Sequence, residues 1–208
     1  FMTVYFGSLD LEQHQKGPYA PEVFATLEAL DGLIGEVMAA ARKAGGGEAV
    51  FCVVSDHGFL PVDKAVRLNA AFRDEGYLQL DEKGELRSWQ AYAWYAHGTA
   101  AVVLENPADE GVRRKVGALL HRLAADPTNG IEEVIDGPEA AKRGGFPDAA
   151  FVVYARSGFW MHAGWDGALI QPSRKYRGTH GFRPEHAAMK AAFFLSGPGV
   201  PVGRTLGE

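Results

Sequence analysis

At 208 residues, with 47% hydrophobic and 23% charged side chains, the chain has the composition of a folded globular unit, not of a disordered tail. A formal net charge of -5 without a basic patch excludes bulk nucleic acid as a partner. No apolar run approaches the roughly 18–20 residues that span a bilayer, and no basic-then-apolar leader opens the chain, so no membrane segment is expected.

In chain order, TVYFGSLD mixes β-branched and aromatic residues, and Thr3 to Phe6 reads as a short strand. The chain begins mid-strand in character, with no cap before it, so further sequence is expected upstream. Residues 21–47 then place Val23, Leu27, Leu30, Ile34, Val37 and Met38 at helical spacing, with Pro21 at the entry and a triple glycine as the stop. AVFCVV, residues 49–54, is a continuous apolar run of the kind expected in a parallel strand covered on both faces. Its Cys52, the single cysteine, excludes an internal disulfide and is expected to be buried as a small hydrophobe. Strand, helix and strand make a βαβ unit, and the class expected is α/β.

From about Arg67 to Gly145 the pattern changes to small alternating elements. These are a short helix at LNAAFRDEG, a strand at YLQL, a hairpin at DEKGEL, TAAVVLE, a helix from Asp109 to Ala125, and IEEVID. DAAFVVYA then resumes a buried strand, and KAAFFLSGPG supplies another. The expected organisation is a core from residues 1–66 and 146–208 interrupted by an inserted α+β cap lobe over 67–145.

Three stretches put metal-type ligands where strands of an open α/β sheet end, which is where such sheets bind ligands. SLDLEQH holds Asp10 and His14 four residues apart, on one face of a helical turn. SDHG sets Asp56 and His57 directly after a buried strand, with Gly58 permitting a sharp turn. GTHG carries His180 between glycines before the last core strand. Carboxylates and imidazoles are the usual ligands of a catalytic zinc. Two such ions about 4 Å apart clamp the attacking and leaving oxygens of a phosphoryl transfer.

SLDLEQHQKGP, SDHGF and GTHGFRPEHAAMKAAFFLSGPG, in that order, resemble the type I phosphodiesterase/nucleotide pyrophosphatase branch of the alkaline phosphatase superfamily, from about Tyr5 to Gly199. The resemblance implies a mostly parallel sheet flanked by helices, with an inserted lobe. It implies that Asp10, His14 and His180 hold one zinc ion and that Asp56 and His57 hold another. The family's second ion also takes an aspartate and the nucleophilic threonine or serine, both upstream of the first motif. The chain is therefore expected to be the carboxyl-terminal part of a longer enzyme, lacking part of the core and the nucleophile. Two divalent ions are expected in the intact enzyme and one or none here.

Ser55 and Thr179 read as loop hydrogen-bonders, His121 as a helix-face residue and His97, in HGTAA, as a turn residue. His162, in the aromatic-rich FWMHAGW, is the candidate substrate-binding residue, and His186 stands close after the third motif. Phe159, Trp160, Trp165 and Tyr176 would form either a stacking wall for a nucleobase or, more commonly, core packing. Arg174, Lys175 and Arg177 would draw an anionic substrate or form a solvated run.

The function expected is hydrolysis of a small phosphodiester or nucleotide substrate at a phosphodiester or pyrophosphate bond. A phosphonate or phosphomonoester hydrolase and a non-catalytic metal-binding fragment are the alternatives. A sheet edge exposed by the missing strands would be the partner surface, with a homodimer closing over it. The compartment is open, with the resemblance leaning extracytoplasmic.

Overall fold

A computed structural model describes residues 1–205. Its first regular elements are α1, Ser8–Lys16, and α2, Pro21–Ala44. In chain order the strands are β1 Phe51–Val54, β2 Leu60–Val66, β3 Leu78–Leu80, β4 Leu86–Trp89, β5 Ala91–Ala96, β6 Thr99–Leu104, β7 Ile131–Asp136, β8 Phe151–Ala155, β9 Gly158–Met161, β10 Ile170–Pro172, β11 Gly178–Thr179 and β12 Phe193–Ser196. Helices α3 Leu68–Asp74, α4 Glu110–Ala124 and α5 Gly137–Lys142 stand among them.

The class is mixed α/β, as expected, but four local expectations fail. Thr3–Phe6 forms no strand, because residues 1–5 are exposed and no described strand offers them a ladder. Cys52 is exposed, not buried. The reason is that β1 pairs only with β12 among the described residues and is half-covered on alternate residues, so the face bearing Cys52 and Val54 is open. On its other face Arg42 of α2 lies 5.1 Å from the Phe51 ring centroid. Thirdly, parallel pairing is confined to β2 with β9, and the other described pairs are antiparallel. Connection length is one cause, since β3–β4 and β5–β6 are joined by turns too short for a parallel crossover.

Helix α2 starts on Pro21, whose missing N–H costs nothing in a first turn, and closes with Gly45 N–H on the Ala41 carbonyl. Val23 and Leu30 are buried and Leu27 is exposed. Fourthly, β12, expected as a buried strand, is exposed along its length, and Phe24 and Leu33 of α2 and Val54 of β1 are exposed apolar side chains as well.

The main core is built on a sheet in the order β5–β6–β8–β7. Alternation along its strands puts Val102 and Val153 on a face shared with Phe72, Val116, Leu120 and Trp160, and puts Ala101 and Val152 on the other with Ile135 and Ala140 of α5. Both faces are therefore covered, which is why TAAVVL and FVV show no polar alternation. Each large side chain fully buried there contributes about 1.5–3 kcal/mol. β8, which the sequence pattern assigned to the resumed core, completes this sheet between β6 and β7.

The arrangement that positions the site centres on β2 and β11. Leu60, just past SDHGF, pairs with Thr179, just before His180. α1 is tied to the same short strand, with Arg177 N–H donating to the His14 carbonyl at 2.8 Å. From the other side, Gly98 at the β5–β6 turn donates its N–H to the His180 carbonyl at 2.8 Å. A Cβ at Gly98 would stand 2.7 Å from the Phe182 backbone nitrogen, so this close approach requires glycine.

Candidate metal centre

Four segments distant in sequence meet around β11. Asp10 Oδ2 lies 3.7 Å from His14 Nε2, and Asp10 Oδ1 lies 3.9 Å from His57 Nε2 and 3.6 Å from His180 Nε2. Asp56 Oδ1 is 3.6 Å from His57 Nε2 and is the most exposed member. The five side chains expected from the motifs are thus brought together, with Asp10 at their centre. The turn after β1 also depends on Gly58, though for room and not for a left-handed backbone: a Cβ there would overlap the Ala188 carbonyl oxygen.

Hydrogen bonds fix how the rings present themselves. His14 Nδ1 lies 2.9 Å from the Gly178 carbonyl and His57 Nδ1 lies 3.1 Å from the Gly58 carbonyl. A carbonyl only accepts, so each Nδ1 carries a proton, and in the neutral ring Nε2 is the nitrogen left to ligate a metal. His57 and His180 stack at 3.7 Å and 14°.

His97 joins this cluster, although the sequence reading treated it only as a turn residue. It is one, with φ of 59° at the tip of the β5–β6 hairpin. Yet its ring centroid stands 4.3 Å from that of His180 and 5.0 Å from that of His14. The sole signal in the sequence was another histidine beside a glycine, in AHGT.

Burial, reinforced by the imidazoles of His97, His57 and His14, pushes His180 down to about 3. Burial together with His14 pushes His97 down to about 4. Both rings are neutral at pH 7, so the approach of His180 to Asp10 is not an ion pair. A neutral imidazole is the form a metal needs, and no proton has to leave first. The unfolded chain, where an imidazole titrates near 6.5, binds more protons than the folded one below that pH. Folding stability held above pH 6.5 is therefore lost as pH falls toward 4 and then 3. Urea unfolding of the chelator-treated chain is expected to show its midpoint falling steadily between pH 6.5 and 4; a constant midpoint over that window would contradict the buried, neutral state of these rings.

The other candidates lie as follows. Ser55 Oγ accepts from Ala192 N–H at 2.8 Å, and Thr179 Oγ1, fully buried, sits 3.1 Å from His97 Nδ1. His162 Nδ1 accepts from Gly164 N–H, its ring packs edge-on to Trp160 at 5.1 Å, and burial lowers its pKa. His186 is held by Glu132 of β7 at 3.0 Å, and His121 is exposed on α4. Trp160 is 2% exposed and belongs to the core, whereas Tyr176 packs 4.6 Å from the His14 ring and borders the cluster. Arg174 and Arg177 are exposed, and Lys175 Nζ lies 4.7 Å from the Tyr176 ring centroid.

The donor set fits a divalent ion of the zinc class. Asp10 Oδ1 is buried without a hydrogen-bond partner, and the ligand atoms of Asp10, His57 and His180 lie within 4.8 Å of one another. A buried, unsatisfied carboxylate oxygen facing imidazole lone pairs is costly alone and favourable around a cation. Among the described residues, no helix is long and apolar enough to cross a membrane.

Comparison with known proteins places the fold and the family. Murine ectonucleotide pyrophosphatase/phosphodiesterase 5 superposes with a TM-score of 0.62 at 20% identity, covering 91% of this chain and 45% of its own. The human protein of that name gives 0.63 at 18% identity with the same coverage. An inactive murine variant in complex with AMP gives 0.63 at 20% identity. The likeness is one of fold, and the chain spans less than half the length of these structures. No curated protein matches it in sequence. The sequence profile described as type I phosphodiesterase/nucleotide pyrophosphatase matches residues 1–183. By that match over most of its length, the chain belongs to the type I phosphodiesterase/nucleotide pyrophosphatase family.

Proposed function

We propose that the chain carries the metal-binding part of a hydrolase that cleaves phosphodiester or pyrophosphate bonds of a small substrate. Asp10, His14 and His180 hold one divalent ion in this reading, and Asp56 with His57 holds a second. Zinc is the ion favoured by the family and by the imidazole-rich donor set. The carrying observation is the convergence of Asp10, His57 and His180, from three separate motifs, on a buried carboxylate oxygen without a partner.

When bound, the ions supply positive charge that stabilises the phosphoryl group in transfer and acidifies the attacking group. The chain's own residues orient and shield that site. The Gly178 and Gly58 carbonyls fix the tautomers of His14 and His57, Phe59 packs its buried ring 4.9 Å from His14, and Tyr176 closes the side near His97.

The attacking group is a threonine or serine upstream of the first motif, with an aspartate that completes the second ion's ligands. Neither local hydroxyl suits the role: that of Ser55 is engaged with Ala192 N–H, and that of Thr179 is buried behind His97. The chain alone then holds one ion at most. The segment over 67–145, its sheet completed by β8, is the proposed cap lobe.

In the enzyme that contains this chain, Asp56→Ala is expected to lower kcat/KM for an aryl phosphodiester on the order of 100- to 1000-fold, the range for loss of one charge-stabilising group. Turnover at the unaltered rate would overturn the reading.

A further inference from the structure

His97 is held more firmly than a hairpin tip requires. Its carbonyl accepts from Met161 N–H at 2.7 Å, and the adjoining Gly98 both donates to the His180 carbonyl and accepts from Ala155 N–H, each at 2.8 Å. Its ring is held by Thr179, whose Oγ1 lies 3.1 Å from His97 Nδ1 in a position with no solvent exposure. Three consecutive residues thereby organise three imidazoles: Gly178 anchors His14 through its carbonyl, Thr179 anchors His97 through its hydroxyl, and His180 is itself the third. In His14 and His97 the nitrogen so occupied is Nδ1, which leaves Nε2 as the ligand atom. The ligand atoms of His14, His97 and His180 lie within 4.8 Å of one another.

A ring whose role was only to cap the hairpin would gain nothing from standing against two other imidazoles, because nitrogen ligand atoms gathered within 4.8 Å of one another with no cation between them repel. A cation between them reverses the sign. Three imidazole nitrogens also differ in kind from a set dominated by carboxylates, since they suit zinc, cobalt, nickel or copper better than magnesium or manganese.

We infer that His97 is part of the metal centre: with His14 and His180 it holds a transition-metal ion of the zinc class, and it makes the site select such ions over manganese and magnesium. The inference rests on the metal reading of the cluster, and it adds a ligand that none of the three motifs contains. It also provides a site that residues 1–208 complete by themselves, with a fourth position left for Asp10 or an incoming group.

The test is metal titration of the chelator-treated chain with zinc, cobalt and manganese, each in competition with a chromophoric chelator, while the visible cobalt bands are recorded. His97→Asn is the main variant, because asparagine tolerates the left-handed backbone at this position. It is expected to weaken zinc and cobalt binding at least about 10-fold, to change manganese binding by less than about 3-fold, and to alter the cobalt bands. His121→Asn, on the exposed face of α4, is expected to bind as the unaltered chain does.

If His14→Ala loses binding while His97→Asn keeps the original zinc affinity and cobalt spectrum, the metal reading stands and the assignment of His97 is wrong. If the unaltered chain binds none of the three ions, the site that this chain completes by itself is absent and the inference fails, while the two-ion reading of the longer enzyme stands. Should circular dichroism show that His97→Asn does not fold, Thr179→Val decides. It keeps the ring but removes its anchor, and is expected to weaken zinc about 10- to 100-fold, as loss of a partner behind a ligand does; unchanged zinc affinity in that variant overturns the assignment.

Discussion

Asp10→Ala is expected to lower the zinc affinity of the chelator-treated chain by more than about 100-fold, above the range for losing a group that merely supports a ligand. Asp10 reaches His14, His57 and His180 at 3.6–3.9 Å, so it borders both candidate ligand groups, and its Oδ1 is buried with no hydrogen-bond partner. The same distances are too long for hydrogen bonds, and at least His180 is uncharged at pH 7, so these contacts add little to the fold without a metal. The variant should therefore unfold in urea close to where the unaltered chelator-treated chain does. Asp10→Asn separates shape from charge: it keeps the side-chain volume, and it should lose nearly as much affinity because an amide oxygen carries no net charge to offset the cation. A zinc affinity within threefold of the original in both variants would show that Asp10 faces the imidazoles without serving a cation.

The uneven legibility of this site has a physical cause. Asp10 with His14, Asp56 with His57, and His180 between glycines are local patterns, and each is placed by the element next to it: a helical turn, the end of β1, and the loop after β11. His97 has no such local mark. What brings it in is a set of contacts between residues far apart in the chain, the Thr179 hydroxyl to its ring across 82 positions and the Gly98 N–H to the His180 carbonyl. Hydrophobic periodicity reports which face of an element is apolar, not which loops end up side by side.

Cys52 and the strand expected at Thr3–Phe6 fail for a related reason. An apolar run reveals a capacity to be covered, and coverage depends on partners elsewhere; β1 has only β12 beside it among the described residues, so its outer face is open. β8 was correctly read as a buried strand, yet its pairing with β6 and β7 is a matter of register that FVVYA alone does not encode.

Trp160→Ala is expected to destabilise the chain by about 3–5 kcal/mol, the range for truncating a buried aromatic side chain. Trp160 is 2% exposed, and it lies in β9, which pairs with β2 and so underlies the strand that aligns β11. Its Nε1 donates to Ser173 Oγ at 2.9 Å, and Ser173 Oγ donates to the Tyr176 carbonyl at 2.6 Å. Its ring also packs edge-on against Tyr176 at 4.7 Å, and Tyr176 in turn lies 4.6 Å from the His14 ring. Truncation thus removes a large apolar contact, leaves a buried hydroxyl without its donor, and loosens the aromatic wall behind the cluster. Trp160→Phe restores most of the packing but not the N–H, and its cost should fall to about 1–2 kcal/mol. Because the ring is enclosed, it has no free face for a nucleobase, so in the proposed enzyme that contains this chain any loss of catalysis in these variants should follow the fraction of folded protein and disappear where folding is complete. A cost below about 1 kcal/mol for Trp160→Ala, measured by urea unfolding at pH 7, would show that β9 is not seated on the core as described.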